Sequence, residues 1–314
     1  MEDYPRTVLE LGTSFSTEGA CRAYLFQLRW PQGFRCPRCG GSKSWAIVRS
    51  LYECAQCGAQ TSVTAGTIFQ DTHKPLRLWF RAIWYVTSQK NGVSALGLQR
   101  VLGLGSYETA WAWLHKLRRA MVRPGRERLS GRVEVDETYV GGEHAGPHGR
   151  GALGKSIVLV AAEEDGAGIG RIRLRRVPDF LGASLGGAIQ DFVEPGSVVH
   201  TDGLRAYSGV GQLGYTHQVL RTGGQEGTDP LPRVHRVASL LKRWMLGTHQ
   251  GAIAPSHLDY YLDEFTFRFN RRTSRSRGKL FYRLMQQAVA VDPVPADRLR
   301  GGIFANSGDA PKLT

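Results

Sequence analysis

The chain has 314 residues, of which 41% are hydrophobic, and its 41 Lys and Arg exceed its 27 Asp and Glu to give a formal charge of +14. A chain of this length allows two domains, and its hydrophobic content suffices for at least one core, which excludes a wholly disordered protein. Its apolar runs are all shorter than the roughly 18 residues that a membrane helix needs. The N-terminus begins with acidic groups and lacks the apolar stretch of a secretory signal, so we expect neither a membrane protein nor a secreted one.

The positive charge is concentrated in the N-terminal part of the chain. Residues 1–130 contain 18 Lys and Arg but 8 Asp and Glu, whereas residues 131–314 contain 23 and 19. Such an excess favours contact with a polyanion, and nucleic acid is the usual one, because a protein that neutralises phosphates releases counterions. A basic surface that serves solubility alone is the alternative.

Four of the five cysteines form two C-x-x-C pairs, each followed by glycine: Cys36 with Cys39, and Cys54 with Cys57. Two such pairs on adjacent hairpins direct four thiolates at one point, which predicts a structural Zn²⁺ site. We therefore expect a zinc ribbon at residues 33–72, after an N-terminal helical segment at residues 1–32. Two disulfides in an exported protein are the alternative. Cys21 stands apart and is expected to be a core residue of the leading helix.

The following segment, residues 73–127, is predicted to be helical and to bind DNA. A first helix begins at Leu76, and two short helices follow around a glycine-containing turn, with Ser94 and Ser106 as their N-caps. This pattern is typical of a helix-turn-helix, whose second helix enters the major groove. A plain helical hairpin inside a core is the alternative. The exposed candidates for DNA contact on the second helix are Tyr107, Glu108, Thr109, Lys116, Arg118 and Arg119.

Beyond a linker, the pattern changes from helical to strand-like. Strands are predicted at 131–140, 156–162, 171–177 and 197–202, with a helix at 183–193. This order predicts an α/β domain with a mixed sheet and flanking helices. Asp136 lies within the first strand and Asp202 ends the fourth, so both carboxylates lie near one edge if these strands are neighbours. Paired carboxylates can hold Mg²⁺ or Mn²⁺ for a displacement at phosphorus, although a lone Asp at a strand end is more often a cap.

Taken together, these motifs carry a family resemblance. The zinc ribbon, the helix-turn-helix, Val-Glu-Val-Asp-Glu-Thr-Tyr-Val-Gly-Gly at 133–142 and Thr-Asp-Gly at 201–203 resemble those of bacterial insertion-sequence transposases with a DDE domain. More narrowly, the chain is similar to the zinc-ribbon, ISXO-like group related to the Merlin elements. The resemblance implies an RNase H-like catalytic domain at 128–290, followed by a flexible C-terminal tail at 291–314. It also implies that Asp136 is the first catalytic acid and Asp202 the second.

The third catalytic position departs from the family pattern. The family usually has Glu or Asn there, seven residues before a Lys on the same helix. Counting back from Lys242 gives His235, and this spacing puts both side chains on one helix face. The resemblance therefore implies that His235 completes a Mg²⁺ or Mn²⁺ site with the two Asp residues, and that Lys242 holds a phosphate. Alternatively, His235 contacts DNA, and Asp229 or Glu264 supplies a third acid, or the chain is an inactive copy.

A transposase that binds the ends of its element, cleaves DNA and joins the strands is the expected function. Its partners would be double-stranded DNA, both terminal repeats and target, and a second copy of itself, because two ends must be held together. No membrane or small-molecule substrate is expected, and the protein would be cytoplasmic and associated with the nucleoid. Further DNA contacts are expected from Arg243, which is the alternative to Lys242 as a phosphate-binding residue. Backbone contacts are also expected from Arg271 and Arg272, in a basic run that continues through Arg275, Arg277 and Lys279. A non-catalytic DNA-binding regulator and a metal-dependent nuclease or resolvase on the same fold are the alternatives.

Overall fold

The computed structural model describes residues 3–123, 125–141, 155–221, 229–251 and 253–300. Numbered along the chain, the helices are α1 (Val8–Ser14), α2 (Glu18–Arg29), α3 (Leu76–Ser88), α4 (Ala95–Leu102), α5 (Tyr107–Ala120), α6 (Gly182–Phe192), α7 (Pro232–His249), α8 (Leu258–Phe269), α9 (Arg277–Ala288) and α10 (Ala296–Arg300). The strands are β1 (Ser44–Ile47), β2 (Leu51–Cys54), β3 (Gln60–Ser62), β4 (Arg132–Val140), β5 (Ser156–Asp165), β6 (Gly168–Val177), β7 (Val198–Thr201) and β8 (Thr216–Val219).

The described residues form two compact units. The N-terminal unit contains those up to Arg123 together with those from Ser274 onward, and the second unit contains those between. Strands β1, β2 and β3 form the small antiparallel sheet of the N-terminal unit, and its helices pack around aromatic side chains. Cys21, in α2, is fully buried there, as expected.

Serine side chains begin both helices of the predicted helix-turn-helix. Ser94 accepts a hydrogen bond from the Gly97 N–H at 3.1 Å, and Ser106 accepts one from the Thr109 N–H at 3.2 Å. Gly103 ends α4 with a φ of 62°, a left-handed conformation that favours glycine. The two predicted caps are confirmed, whereas DNA binding by these helices stays a prediction.

The last described segment of the chain, which begins at Ser274, belongs to the N-terminal unit. Helix α9, which the sequence analysis assigned to the catalytic domain at 128–290, packs instead on α2, α3 and α5. The cause is its apolar face, on which Phe281 is fully buried against Phe15, Tyr24 and Phe80. Within the stretch predicted to be a flexible tail from 291, α10 is helical and its Leu299 is buried. Residues 301–314 of that tail lie outside the described residues.

The second unit is built on one mixed five-stranded sheet. Its strand order is β6-β5-β4-β7-β8. The pairs β6–β5 and β5–β4 are antiparallel, whereas β4–β7 and β7–β8 are parallel. Numbered within the unit, this is the order 3-2-1-4-5 of the RNase H-like fold, so the predicted fold class is confirmed. Helix α6 packs on one face of the sheet, and α7 and α8 pack on the other. Alternate residues of β5 enter the two cores, as a strand buried on both faces requires.

In the part of the chain that the structure describes, none of the helices has both the length and the apolar character needed to span a bilayer.

Candidate metal centres and nucleic-acid contacts

The two C-x-x-C pairs converge at one point in the N-terminal unit. The converging ligand atoms, which all lie within 4.8 Å of one another, are the Sγ atoms of Cys36, Cys39, Cys54 and Cys57. In each pair the following glycine closes a tight turn: the N–H groups of Gly40 and Gly58 donate to the first cysteine's carbonyl at 2.9 Å. Both glycines have positive φ angles, 75° and 67°, which explains why glycine follows each pair.

The sulfur positions fit a tetrahedral zinc ion. The Sγ atoms of Cys36 and Cys57 are 3.7 Å apart, and those of Cys39 and Cys54 are 3.6 Å apart. A Zn–S bond of about 2.3 Å in a tetrahedron separates two sulfurs by about 3.8 Å, whereas a disulfide requires about 2.05 Å. The backbone N–H of Cys39 lowers the pKa of the Cys36 thiol to about 6, which favours the thiolate that zinc binds. The four-cysteine zinc site is therefore confirmed, and the disulfide alternative does not fit.

In the second unit, His235 contacts Asp136, and Asp202 lies close enough for its negative charge to act on Asp136. Asp136 lies in the middle of β4, and its partner residue in β5 belongs to the core beneath α7 and α8. The parallel register of β4 and β7 runs to the pair Glu134–His200. Strand β7 ends at Thr201, so Asp202 is the first residue after the strand that pairs with β4. From α7, His235 Nε2 lies 3.1 Å from Asp136 Oδ2.

Asp229 binds the other nitrogen of the same imidazole. Its Oδ1 lies 2.7 Å from His235 Nδ1 and also accepts the Leu231 N–H at 3.0 Å, just before α7 begins. A carboxylate at Nδ1 holds the proton on that nitrogen and leaves Nε2 as the ligand atom, which is the usual arrangement behind a metal-bound histidine. Asp229, which the sequence analysis named as an alternative third acid, therefore contacts the nitrogen of His235 that is remote from Asp136.

The other alternative acid is engaged elsewhere. Glu264, on α8, is fully buried, and its Oε1 lies 2.7 Å from the Arg268 guanidinium one turn further along the same helix. This is an intrahelical i,i+4 pair that stabilises α8 in the core. Lys242 and His235 both lie on α7, which confirms the prediction that they share one helix.

The electrostatics of the site favour a bound cation. Burial raises the pKa of Asp136, and the negative charge of Asp202 raises it further, while the Glu137 N–H and His235 oppose the shift. Burial also raises the pKa of the neighbouring Glu137, to about 7, against a hydrogen bond of 2.6 Å from the Tyr207 hydroxyl. Carboxylates that repel one another in a partly buried site are stabilised by a positive ion between them.

The donor set fits Mg²⁺ or Mn²⁺. Octahedral coordination at about 2.1 Å places neighbouring ligand atoms about 3 Å apart, close to the 3.1 Å between Asp136 Oδ2 and His235 Nε2. Two carboxylates with one imidazole form a ligand set that Mn²⁺ accepts readily and Mg²⁺ accepts when water completes the shell. The roles of these residues as ligands stay a prediction.

Three cationic side chains are candidates for phosphate contact in this unit. Lys242 is exposed on α7, where partial desolvation and the positive charge of Lys155 lower its pKa. Arg243 beside it is also exposed. Arg221, which sequence reasoning missed, lies over Gly203, next to Asp202. A Cβ on that glycine would lie 3.2 Å from the guanidinium Nε.

The basic run that follows α8 does not belong to a single unit. The guanidinium of Arg271 stacks on Phe267, and that of Arg272 stacks on Phe269, each 4.1 Å from the ring centroid. Arg272 also donates to the carbonyl oxygens of Phe269, at 2.9 Å, and of Ile169. Both arginines therefore have structural partners in the second unit. The rest of the run, Arg275, Arg277 and Lys279, belongs to the N-terminal unit.

The candidate DNA contacts on α5 differ in their exposure to solvent, and they form an exposed, a half-buried and a buried group. Tyr107, at its start, is 51% exposed, and Glu108 is also exposed. The half-buried group consists of Thr109, Lys116 and Arg119. Arg118 is only 2% exposed, so its expected exposure is wrong. Its position is four residues after the buried Leu114, which turns it toward the interior.

Two residues near Asp136 were missed by sequence reasoning although the pattern holds a signal for them. The strand of β4 alternates buried valines with acidic residues, and Glu134 is as deeply buried as the valines beside it. Glu137 occupies the opposite face, where it meets Tyr207. A carboxylate that is buried among apolar side chains needs a hydrogen-bond donor or a cation beside it, so the pattern of β4 predicts such a partner for Glu134.

Comparison with known proteins gives the same picture of the two units. The transposase zinc-ribbon domain family matches residues 16–60, and the ISXO2-like transposase domain family matches residues 128–270. A curated protein from Halobacterium salinarum, described as an uncharacterized protein in transposable element ISH50, is 27% identical over 292 residues, covering 85% of this chain and 95% of that protein. The crystal structure of the catalytic core domain of BIV integrase matches with 16% identity and a TM-score of 0.30, covering 47% of this chain and 86% of that one.

The two family matches together span more than half of the chain and coincide with the four-cysteine cluster and with the mixed sheet. The alignment with the halobacterial protein extends along most of both sequences. The chain therefore belongs to the ISXO2-like transposases that carry an N-terminal zinc ribbon.

Proposed function

We propose that this transposase cleaves DNA at the ends of its element and joins the freed 3′-OH groups to target DNA, with Mg²⁺ or Mn²⁺ held by Asp136, Asp202 and His235. The observation that carries this proposal is the 3.1 Å approach of His235 Nε2 to Asp136 Oδ2, a carboxylate on which the charge of Asp202 also acts. A bound divalent ion in such a site supplies charge stabilisation at phosphorus and lowers the pKa of an attacking water or hydroxyl.

The chain's own residues set the geometry of the reaction. The carboxylates of Asp136, on β4, and Asp202, just after the neighbouring β7, provide hard oxygen ligands. His235 adds a neutral ligand whose tautomer Asp229 determines through the 2.7 Å contact at Nδ1. Lys242 and Arg221 are the cations that hold phosphates on either side of the scissile bond.

The N-terminal unit is proposed to recognise the element ends. The zinc ribbon stabilises that unit, and α5 presents Tyr107, Thr109, Lys116 and Arg119 to the major groove. Arg243, Arg271 and Arg272 are proposed to contact the DNA backbone beside the catalytic site. The guanidinium groups of Arg271 and Arg272 keep their positive charge while they contact these rings and carbonyl oxygens, so their attraction to phosphate is compatible with this role. Because two ends are processed together, the active species is proposed to be at least a dimer.

A cleavage and strand-transfer assay tests this proposal. Labelled duplexes that carry the terminal repeats flanking the gene are incubated with the protein in Mg²⁺ and separately in Mn²⁺. The Asp136→Asn variant is expected to lose cleavage by at least about a hundredfold, as when a single charge-stabilising group is removed from an active site. It should bind the duplex as the wild type does, because the N-terminal unit is unchanged.

The matched control is Asp165→Asn, which neutralises an exposed aspartate at the end of β5 in the same unit. Its cleavage should equal that of the wild type. Wild-type protein that binds the ends but cuts them in neither metal would refute the catalytic proposal and favour a DNA-binding regulator. Cleavage without any joined product would favour a nuclease or resolvase.

A further inference from the structure

A buried carboxylate lies two residues before Asp136 on the same face of β4. Glu134 is 1% exposed, and its Oε2 accepts the backbone N–H groups of Arg233 at 2.8 Å and of Val234 at 3.0 Å. These two residues are in the first turn of α7, two and one positions before His235. Glu134 thus connects the strand that carries Asp136 to the helix that carries His235.

The start of α7 lacks a polar cap of its own. Leu231 occupies its N-cap position and has no side-chain acceptor, and Pro232 follows. The first N–H groups of a helix have no partner within the helix and carry partial positive charge. Glu134 supplies the missing acceptor from a different element, and it brings a full negative charge to that end of the helix.

The side chain of Arg233 makes the connection rigid. Its Nη1 donates to Glu134 Oε1 at 2.8 Å and lies 3.1 Å from Glu164 Oε1 on β5. Its Nε and Nη2 donate to the carbonyl oxygens of Gly168 and Gly166, in the turn between β5 and β6, at 3.1 and 3.0 Å. The first turn of α7 is therefore bonded to β4, to β5 and to the adjoining hairpin.

We propose that Glu134 is a positioning residue for the metal site, which places His235 against Asp136 by anchoring the first turn of α7. The inference rests on the proposed function for its consequence, because His235 acts there as a ligand. Glu134 and Asp136 are only two residues apart on one strand, so a single rigid segment sets both the first ligand and the anchor of the third. His235 itself is 46% exposed, so its place against Asp136 depends on the backbone of α7 as well as on its contact with Asp229.

A matched pair of variants separates positioning from general stabilisation. Glu134→Gln keeps the size of the side chain and removes its charge. Glu163→Gln is the control, because Glu163 has a similar set of partners without touching α7. It accepts the N–H groups of Ser130 and Arg171 and pairs with the Arg171 guanidinium at 2.8 Å. Both variants should lower the melting temperature, since each leaves an arginine with a weaker partner.

The deciding measurement is Mn²⁺ binding to the DNA-free, zinc-loaded protein by calorimetry. Glu134→Gln is expected to weaken Mn²⁺ binding by about tenfold or more, which is the usual effect of losing an outer partner of a metal ligand. Glu163→Gln should bind Mn²⁺ as the wild type does. Equal Mn²⁺ affinity in the two variants would overturn the proposal. If Glu134→Gln fails to fold, Arg233→Gln takes its place, because it loosens the same turn while Glu134 still caps the helix.

A second readout does not depend on metal. The ring ¹H–¹⁵N signals of His235, recorded at one fixed pH without added divalent ion, report its contact with Asp136. Glu134→Gln should shift these signals and Glu163→Gln should not; unchanged signals in Glu134→Gln would overturn the proposal. If the wild type binds no Mn²⁺ at all, the metal role in the proposed function fails, and the ring signals still decide whether Glu134 positions His235.

Discussion

Replacement of Asp229 tests whether its contact with Nδ1 orients His235, the proposed metal ligand. In Asp229→Asn the amide oxygen can still accept the His235 Nδ1–H bond, now 2.7 Å long, but the negative charge is lost. A hydrogen bond to a charged group contributes about 1.5–3 kcal/mol when it is buried. The two side chains are 46% and 41% exposed, so solvent screening reduces this contribution to about 1 kcal/mol.

A loss of about 1 kcal/mol corresponds to about a fivefold loss of affinity for the ion that His235 would hold. We therefore expect Asp229→Asn to raise the Mn²⁺ dissociation constant about fivefold. Asp229→Ala, which also removes the acceptor for Nδ1, should raise it further, toward the tenfold or greater effects seen for outer partners of metal ligands. Cleavage at saturating Mn²⁺ should stay close to that of the wild type in both variants, because the ligands themselves are intact.

Calorimetric titration of the DNA-free protein with Mn²⁺ measures these constants, and Asp165→Asn is the charge-matched control. Two outcomes would refute the reasoning. If Asp229→Ala binds Mn²⁺ as the wild type does, the contact at Nδ1 does not orient the imidazole. If Asp229→Ala abolishes Mn²⁺ binding as completely as Asp136→Ala does, Asp229 is itself a ligand and His235 only bridges the two aspartates.

Two other predictions concern the zinc site and the pH dependence of stability. Cys39→Ser should lose the bound zinc and unfold the ribbon, whereas Cys21→Ala, which also removes one thiol, should retain it; elemental analysis and circular dichroism measure both, and zinc retained in Cys39→Ser would contradict the assignment. Glu137 has a folded pKa of about 7, above its ordinary value of 4.5, so the folded state keeps a proton between these pH values that the unfolded state releases. The free energy of unfolding should therefore fall as pH rises through this window in the absence of added Mg²⁺ or Mn²⁺, and Glu137→Gln should flatten that fall. Equal slopes for the two proteins in thermal melts at pH 5 to 8 would count against this account.

Elements with strong local patterns were predictable from the sequence. The alternation of valines in β4 and the apolar run of β5 identified both strands, and the two C-x-x-C pairs identified the zinc ligands. Strand β8 was missed because its four residues, Thr216–Val219, are mostly polar and become a strand only by pairing with β7. Such a short edge strand is defined by its neighbour more than by its own propensity.

The parts of the site that escaped prediction depend on contacts between distant residues. Glu134 and Arg233 are 99 positions apart, and no local pattern reports that one caps the helix of the other. The error on Arg118 has the opposite origin, because its charge suggested the surface although helical spacing from Leu114 indicated the interior. Where charge and periodicity disagreed in α5, periodicity was the better guide.

The return of α9 to the N-terminal unit has a genetic consequence. A stop codon just beyond Thr273 would leave the five strands of the mixed sheet in place, yet it would remove Phe281 and its helix from the N-terminal core. A truncating mutation at the 3′ end of the gene is therefore expected to destabilise the N-terminal unit. An early-terminated product would lack a stable N-terminal unit, which is the unit proposed to bind the element ends. Truncation is therefore not expected to produce a DNA-binding inhibitor of the full-length protein.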